Sequence, residues 1–189
     1  MDSKKHDTVG RLFSEFSRSN GSGRLNDDIE RAVFIYALWN VLDIEVGYMA
    51  LEVCKHSQWT NSTFLGACVM AGIPDDVIVS GCYHTGDWGA RDLVSGLSNP
   101  TVGWSDVRIA KAFFMALRSD ESAADALRRS EWSLTRILIA GQQVSVGFAD
   151  HFLKPHANNL LLGAQLATRN AEGGITLNDL GFAKARMPG

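Results

Sequence analysis

Two short stretches, VCKHSQW at residues 53–59 and GCYHTGDW at residues 81–88, each place a thiol two positions before an imidazole and close on an indole. Two chemistries suit those side chains. Cys54, His56, Cys82 and His84 are the ligand types of a tetrahedral zinc centre. Cys82, His84 and Asp87 are the types of a nucleophile, its base and an orienting group. Spacing argues against both. On a helix, side chains two positions apart point roughly 200° away from each other, so neither Cys-x-His pair converges on one ion without rearranging its helix. Cys68 lies in the apolar run FLGACVM, and unpaired cysteine is among the most buried residue types. The favoured expectation is therefore structural, with small core thiols and with His56 and His84 near helix C-termini, where the carbonyl end of the dipole favours them. Trp59 and Trp88 then pack back over the turns. The metal set and the Cys/His/Asp cluster remain as the alternative, a small cytosolic enzyme.

No other catalytic pattern competes. The chain has no Gly-x-Ser-x-Gly elbow, phosphate-cradling Gly-x-x-x-x-Gly-Lys-Ser/Thr loop or His-Glu-x-x-His pair. No cofactor is called for. Asp43, Glu45 and Glu52 fall in a greasy stretch, which predicts that one of them is partly buried. His151 and His156 flank a helix junction and read as structural.

Arg128, Arg129 and Arg136 lie close to Trp132, and arginine beside an aromatic can hold a phosphate and stack a base. Asp120, Glu121, Asp125 and Glu131 are interleaved with them, however. Pairs such as Asp125/Arg129, four apart, account for much of the cluster. A net charge of −3 gives nucleic acid no general attraction. These arginines stand as possible nucleic-acid or phosphate contacts only. A coat protein escapes the charge argument, because polymerisation adds weak contacts. Residues 131–152, EWSLTRILIAGQQVSVGFADHF, resemble the late core of flexuous plant-virus coat proteins, where an aromatic-x-Leu-x-Arg stretch precedes an aromatic-Asp segment. The Ala-Phe-Asp-Phe of that family is absent, so the resemblance does not extend to membership.

The elements that position these groups read as helices. Val9, Leu12, Phe13 and Phe16 follow at i, i+3, i+4 and i+7, one face of a helix over 8–17. SRSNGSG (17–23) is flexible by composition. A helix so short is marginal alone in water, so its stripe needs a surface, either its own body or a partner's. Those four residues are the predicted partner-binding anchors. Asp27 with Glu30 suggests a capping box, opening a helix that runs towards His56 with a bend at Gly47. AVFIYALW (32–39) is apolar on every side and predicts a central buried helix. Ser62 is a candidate cap for TFLGACVMAG. Pro74 suits the first turn of the next helix, and residues 85–103 carry one short helix at ARDLVSGL. Further helices are predicted behind Ser105, over DESAADALRR, over 131–153 and after Pro155, the last stopping at Gly173-Gly174. Thr176 and Asp179 suggest a final cap.

The fold expected is all-α, a single helical-bundle domain of roughly seven to ten helices. Its divisions are an N-terminal arm and tether over 1–24 and a helical domain over 25–189. At 46% hydrophobic and 21% charged residues, the composition suits a globular chain that buries a core. Three cysteines do not make a disulfide framework and fit a cytoplasmic, reducing setting. The N-terminus has no secretory h-region, and Asp43 and Glu45 interrupt the greasiest stretch, so no membrane partner is expected. Residues 1–95 carry 8 basic and 13 acidic side chains, and residues 96–189 carry 10 and 8. That polarity suits head-to-tail contact between copies. The functional expectation is a non-catalytic interaction or assembly subunit whose partner is a protein, first of all itself, forming a homo-oligomer through the arm.

Overall fold

The computed structural model describes residues 3–19, 25, 27–85, 88–145, 147–148 and 152–154. Residues 20–23 of the expected tether, Asp87, His151 and every element expected beyond Lys154 lie outside them, while Ser17–Ser19, expected as tether, belong to the first helix. Among the described residues there are nine α-helices and no strand, so the all-α expectation holds. The helices are α1 (Ser3–Ser19), α2 (Asp28–Tyr36), α3 (Val46–His56), α4 (Asn61–Met70), α5 (Asp75–Ser80), α6 (Ala90–Ser98), α7 (Asp106–Leu117), α8 (Asp120–Arg129) and α9 (Leu134–Val144). Two of them run on into π-helical turns, α2 over Ala37–Val41 and α5 over Gly81–Thr85.

The helix starts follow from short polar side chains that satisfy otherwise unpaired backbone N–H groups. Asp27 accepts from the Ile29 N–H at 2.6 Å, and Ser105, Ser119 and Ser133 accept from the N–H three residues on. Thr60, not Ser62, caps α4, accepting from the Thr63 N–H at 3.2 Å. The run from Asp27 to His56 is not one helix. It breaks at 42–45, where Asp43 takes a left-handed φ of 52°, and restarts at Val46. The helix expected over 131–153 is shorter too, because Ser133 sets its first turn and Ser145 its end.

Packing follows a simple alternation. The odd helices form one row, α1 on α3, α3 on α5, α5 on α7 and α7 on α9; the even helices form a second, α2 on α4, α4 on α6 and α6 on α8. Most helices thus rest chiefly on the helices two places before and after them, the logic of a quasi-one-dimensional stack, whereas α8 packs most on its sequence neighbour α7. One continuous core runs between the rows, from Val9 and Phe13 through Met49, Phe64, Leu93 and Phe113 to Ile137 and Phe148. Because α2 opens the even row, it is an edge helix. Ala32, Phe34 and Ile35 are buried, but Ile29, Val33 and Tyr36 are 66%, 51% and 46% exposed. The expectation of a central helix at 32–39 is overturned, since an apolar residue is buried only where a neighbour stands on that side. No helix among the described residues is long and apolar enough to cross a membrane.

Candidate functional site

The two Cys-x-His stretches end up on different business. Cys82 is fully buried in the π-helical turn after α5, whereas His84 of the same turn is exposed. The turn packs closely because its first residue is glycine: a Cβ on Gly81 would lie 2.8 Å from the Val46 Cβ at the start of α3. Tyr83 stands edge-on to Phe113 at 6.2 Å, and Trp88 edge-on to Phe64 at 5.7 Å. His56 ends α3, and its Nε2 lies 3.3 Å from a carboxylate oxygen of Glu52. Glu52 is the one acid of the greasy stretch that is buried; Asp43 and Glu45 are exposed. Burial pushes the Cys54 thiol up to about 11 and drives Cys68 and Cys82 higher still, with nearby thiols adding to the effect. A thiol so placed stays protonated at neutral pH, the opposite of an activated nucleophile. Cys54 lies near enough to Cys82 to push its thiol up, but Cys54, His56, Cys82 and His84 do not converge: among the described residues no group of three or more His, Cys, Asp or Glu could hold a metal.

The arginines divide. Arg128 and Arg129 are exposed on α8, with Arg129 held only loosely at 4.0 Å from Asp125. Arg136 is committed. Its guanidinium lies 4.1 Å above the Trp132 ring and is bound through two nitrogens to Asp106, the Nε at 2.7 Å. Arg108 repeats the arrangement, 4.3 Å above Trp104 and bound through two nitrogens to Asp75 at 2.8 and 2.9 Å. Both belong to a Trp-Ser-x-x-Arg pattern, WSDVR at 104–108 and WSLTR at 132–136. In each, the Trp lies buried before the cap, the Ser caps, and the Arg reaches the first-turn Asp of the odd helix before it. The repeated pattern is visible in the sequence, although the distant carboxylates it pairs with are not. It lashes together the N-terminal ends of α5, α7 and α9, and it leaves Arg136 little freedom to meet a phosphate.

The four arm anchors are seated on the protein's own body. Val9 is 1% and Phe13 9% exposed, and Leu12 and Phe16 are half-buried. Phe13 stands edge-on to Phe34 at 5.5 Å and to Trp59 at 6.0 Å, and Phe16 lies 5.4 Å from Phe34. A Cβ on Gly10 would sit 3.1 Å from the His56 ring, so helix and body meet closely there.

What remains open is the outer edge of α2 and its continuation. Ile29, Val33 and Tyr36 recur at i, i+4 and i+7, and Val41 and Leu42 extend the exposed apolar surface at 70% and 47%. The edge runs into a groove of about 400 Å³ bordered by Trp39, Asp43, Glu45, Asp76, His84 and Arg118. Both π-helical turns meet this groove, as do two residues with left-handed backbone, Asp43 and Arg118. Its border carries three carboxylates, Asp43, Glu45 and Asp76, against one arginine, Arg118, among mostly neutral residues. The chain matches no family model, no curated protein and no solved structure.

Proposed function

We propose that this chain is a non-catalytic assembly subunit, a two-row helical stack whose work is contact with other protein chains, its own copies first. The observation that carries the reading is the exposed stripe Ile29, Val33 and Tyr36 along α2. Scattered exposed apolar residues need no explanation, but a contiguous helical stripe on an edge helix is the signature of a surface awaiting a partner. The buried, protonated thiols and the separation of Cys82 from His84 favour this reading over an enzyme built on that cluster. The stripe expected to reach outward, on α1, is engaged within the chain, so α2 offers the better docking face. The test is the native mass of the purified full chain by sedimentation and light scattering, together with the identity of any protein that co-purifies. An oligomer, or a stoichiometric partner protein, supports the reading. A monomer at high concentration that carries no partner refutes it.

A further inference from the structure

Resting on that assembly reading, we infer that the α2 edge is one half of a head-to-tail interface, and that its occupant is the stretch 156–170 of a second copy. Four observations lead there. The two described end helices of the even row are unlike. α2 presents Ile29, Val33 and Tyr36 outward, whereas α8 presents Glu121, Asp125, Arg128 and Arg129. An apolar face at only one described end does not pair with its like at the other, and unlike ends that meet make a heterologous contact.

Secondly, the chain continues past Lys154 through residues 155–189, and the sequence HANNLLLGAQLATRN at 156–170 supplies Leu160, Leu161, Leu162 and Leu166. Thirdly, that continuation leaves from the far end of the molecule. Phe148 stands edge-on to Phe114 of α7 at 5.0 Å and stacks on Phe152 at 5.3 Å. In the same molecule α2 stands about three helix widths away, roughly 25–30 Å at 8–10 Å per helix. A neighbour stacked head to tail brings its own tail directly against α2.

Charge agrees with this polarity. Between residues 27 and 45, around the head edge, the sequence carries Asp27, Asp28, Glu30, Asp43 and Glu45 against Arg31, and Arg118 joins them only at the groove. From residue 154 onwards, Lys154, Arg169, Lys184 and Arg186 outnumber Glu172 and Asp179. Complementary ends raise the rate and fix the direction of docking. Apolar contact holds it.

The test uses two single-defect full-length chains, Val33→Asp at the head and Leu162→Asp at the tail, each checked for an unchanged thermal melt. Sedimentation of wild type should show growth to larger species with concentration, and each variant alone should be a monomer. Mixed one to one, the two variants should give a heterodimer and nothing larger, because one intact head meets one intact tail. If Leu162→Asp lowers the melt, Arg169→Glu replaces it, and Ile29→Glu replaces Val33→Asp on the same ground. A mixture that yields no heterodimer overturns the inference. So does wild-type association that persists undiminished in both variants, although that result leaves the assembly reading standing through another surface. A wild-type monomer holding a foreign protein likewise overturns the inference and spares the broader reading.

Discussion

Replacing Phe13 with Ala tests whether α1 is a separable unit docked on the stack. The ring is 9% exposed and edge-on to two aromatic neighbours, Phe34 and Trp59. Truncation of a buried Phe costs about 3–5 kcal/mol, and edge-to-face pairs are part of that loss. The low end applies, because the site lies between a helix and the body rather than in the centre. The remaining fully buried anchor, Val9, contributes roughly 1.5–3 kcal/mol. Leu12 and Phe16 add less, and α1 has little stability of its own. Losing about 3 kcal/mol from such a contact moves α1 towards an undocked state, and at 1.4 kcal/mol per tenfold this lowers its protection by about two orders of magnitude. Native-state amide hydrogen exchange reads the effect directly: α1 amides should lose about a hundredfold of protection while those of α7 keep theirs. Equal losses in α1 and α7 would show one cooperative unit and refute separability. Exchange of wild-type α1 at solvent rates would refute docking itself.

Two further outcomes follow from ionisation. Asp106 is held below its ordinary range, first by the hydrogen bonds from Arg136 and then by that residue's charge. A carboxylate with a lowered folded pKa adds stability above its unfolded value, near 4, and that contribution fades as pH falls through the folded value. The pair is partly exposed, so its worth is only about 0.5–1 kcal/mol. Asp106→Asn should lower the urea midpoint at pH 7, and the loss should shrink progressively as pH falls below about 4; a loss that does not shrink on acidification would show that the charge is not responsible. For the thiols, a disulfide exchange reagent at pH 7.5 should modify the native protein slowly, with half-buried Cys54 first and Cys68 and Cys82 only on unfolding. Rapid, selective modification of Cys82 would restore the nucleophile.

How much of this was legible in the sequence depends on the range of the interaction. Elements held by local chemistry could be read. The stripe Val9, Leu12, Phe13 and Phe16 declares a helix face through its period, and Ser105 declares a cap through its neighbours. Elements decided by distant partners could not. Asp75 and Arg108 are 33 residues apart and Asp106 and Arg136 are 30 apart, so neither rung of the ladder shows in a local window. The surroundings of α2 were misread for a related reason. Its composition says only that many sides are apolar; whether a side is covered depends on row order, which arises from contacts between helices two places apart. The Cys-x-His stretches misled in the other direction. Their residue types suggested chemistry, but the π-helical turn that separates a buried Cys82 from an exposed His84 is set by the close approach of Gly81 to α3.

The alternation of rows also explains why the exposed stripe lies where it does. α1 packs on α3 and so begins the odd row, one place before α2 begins the even row. The head of the stack is therefore a step: α1 covers α3, and no described helix stands before α2 in its own row. An arm that covered both rows would make a closed, soluble cap of the kind repeat stacks place at their ends. This arm spends Val9 and Phe13 on the body, and through Phe13 and Phe16 it braces Phe34 on the inner face of α2. The outer face of α2 is thereby held in place and left uncovered. Under the assembly proposed above, the arm's part would be indirect: it braces the edge that would make the contact. Weakening α1 should loosen the α2 edge as well, whereas a charge placed at Val33 should abolish the contact and leave the arm docked.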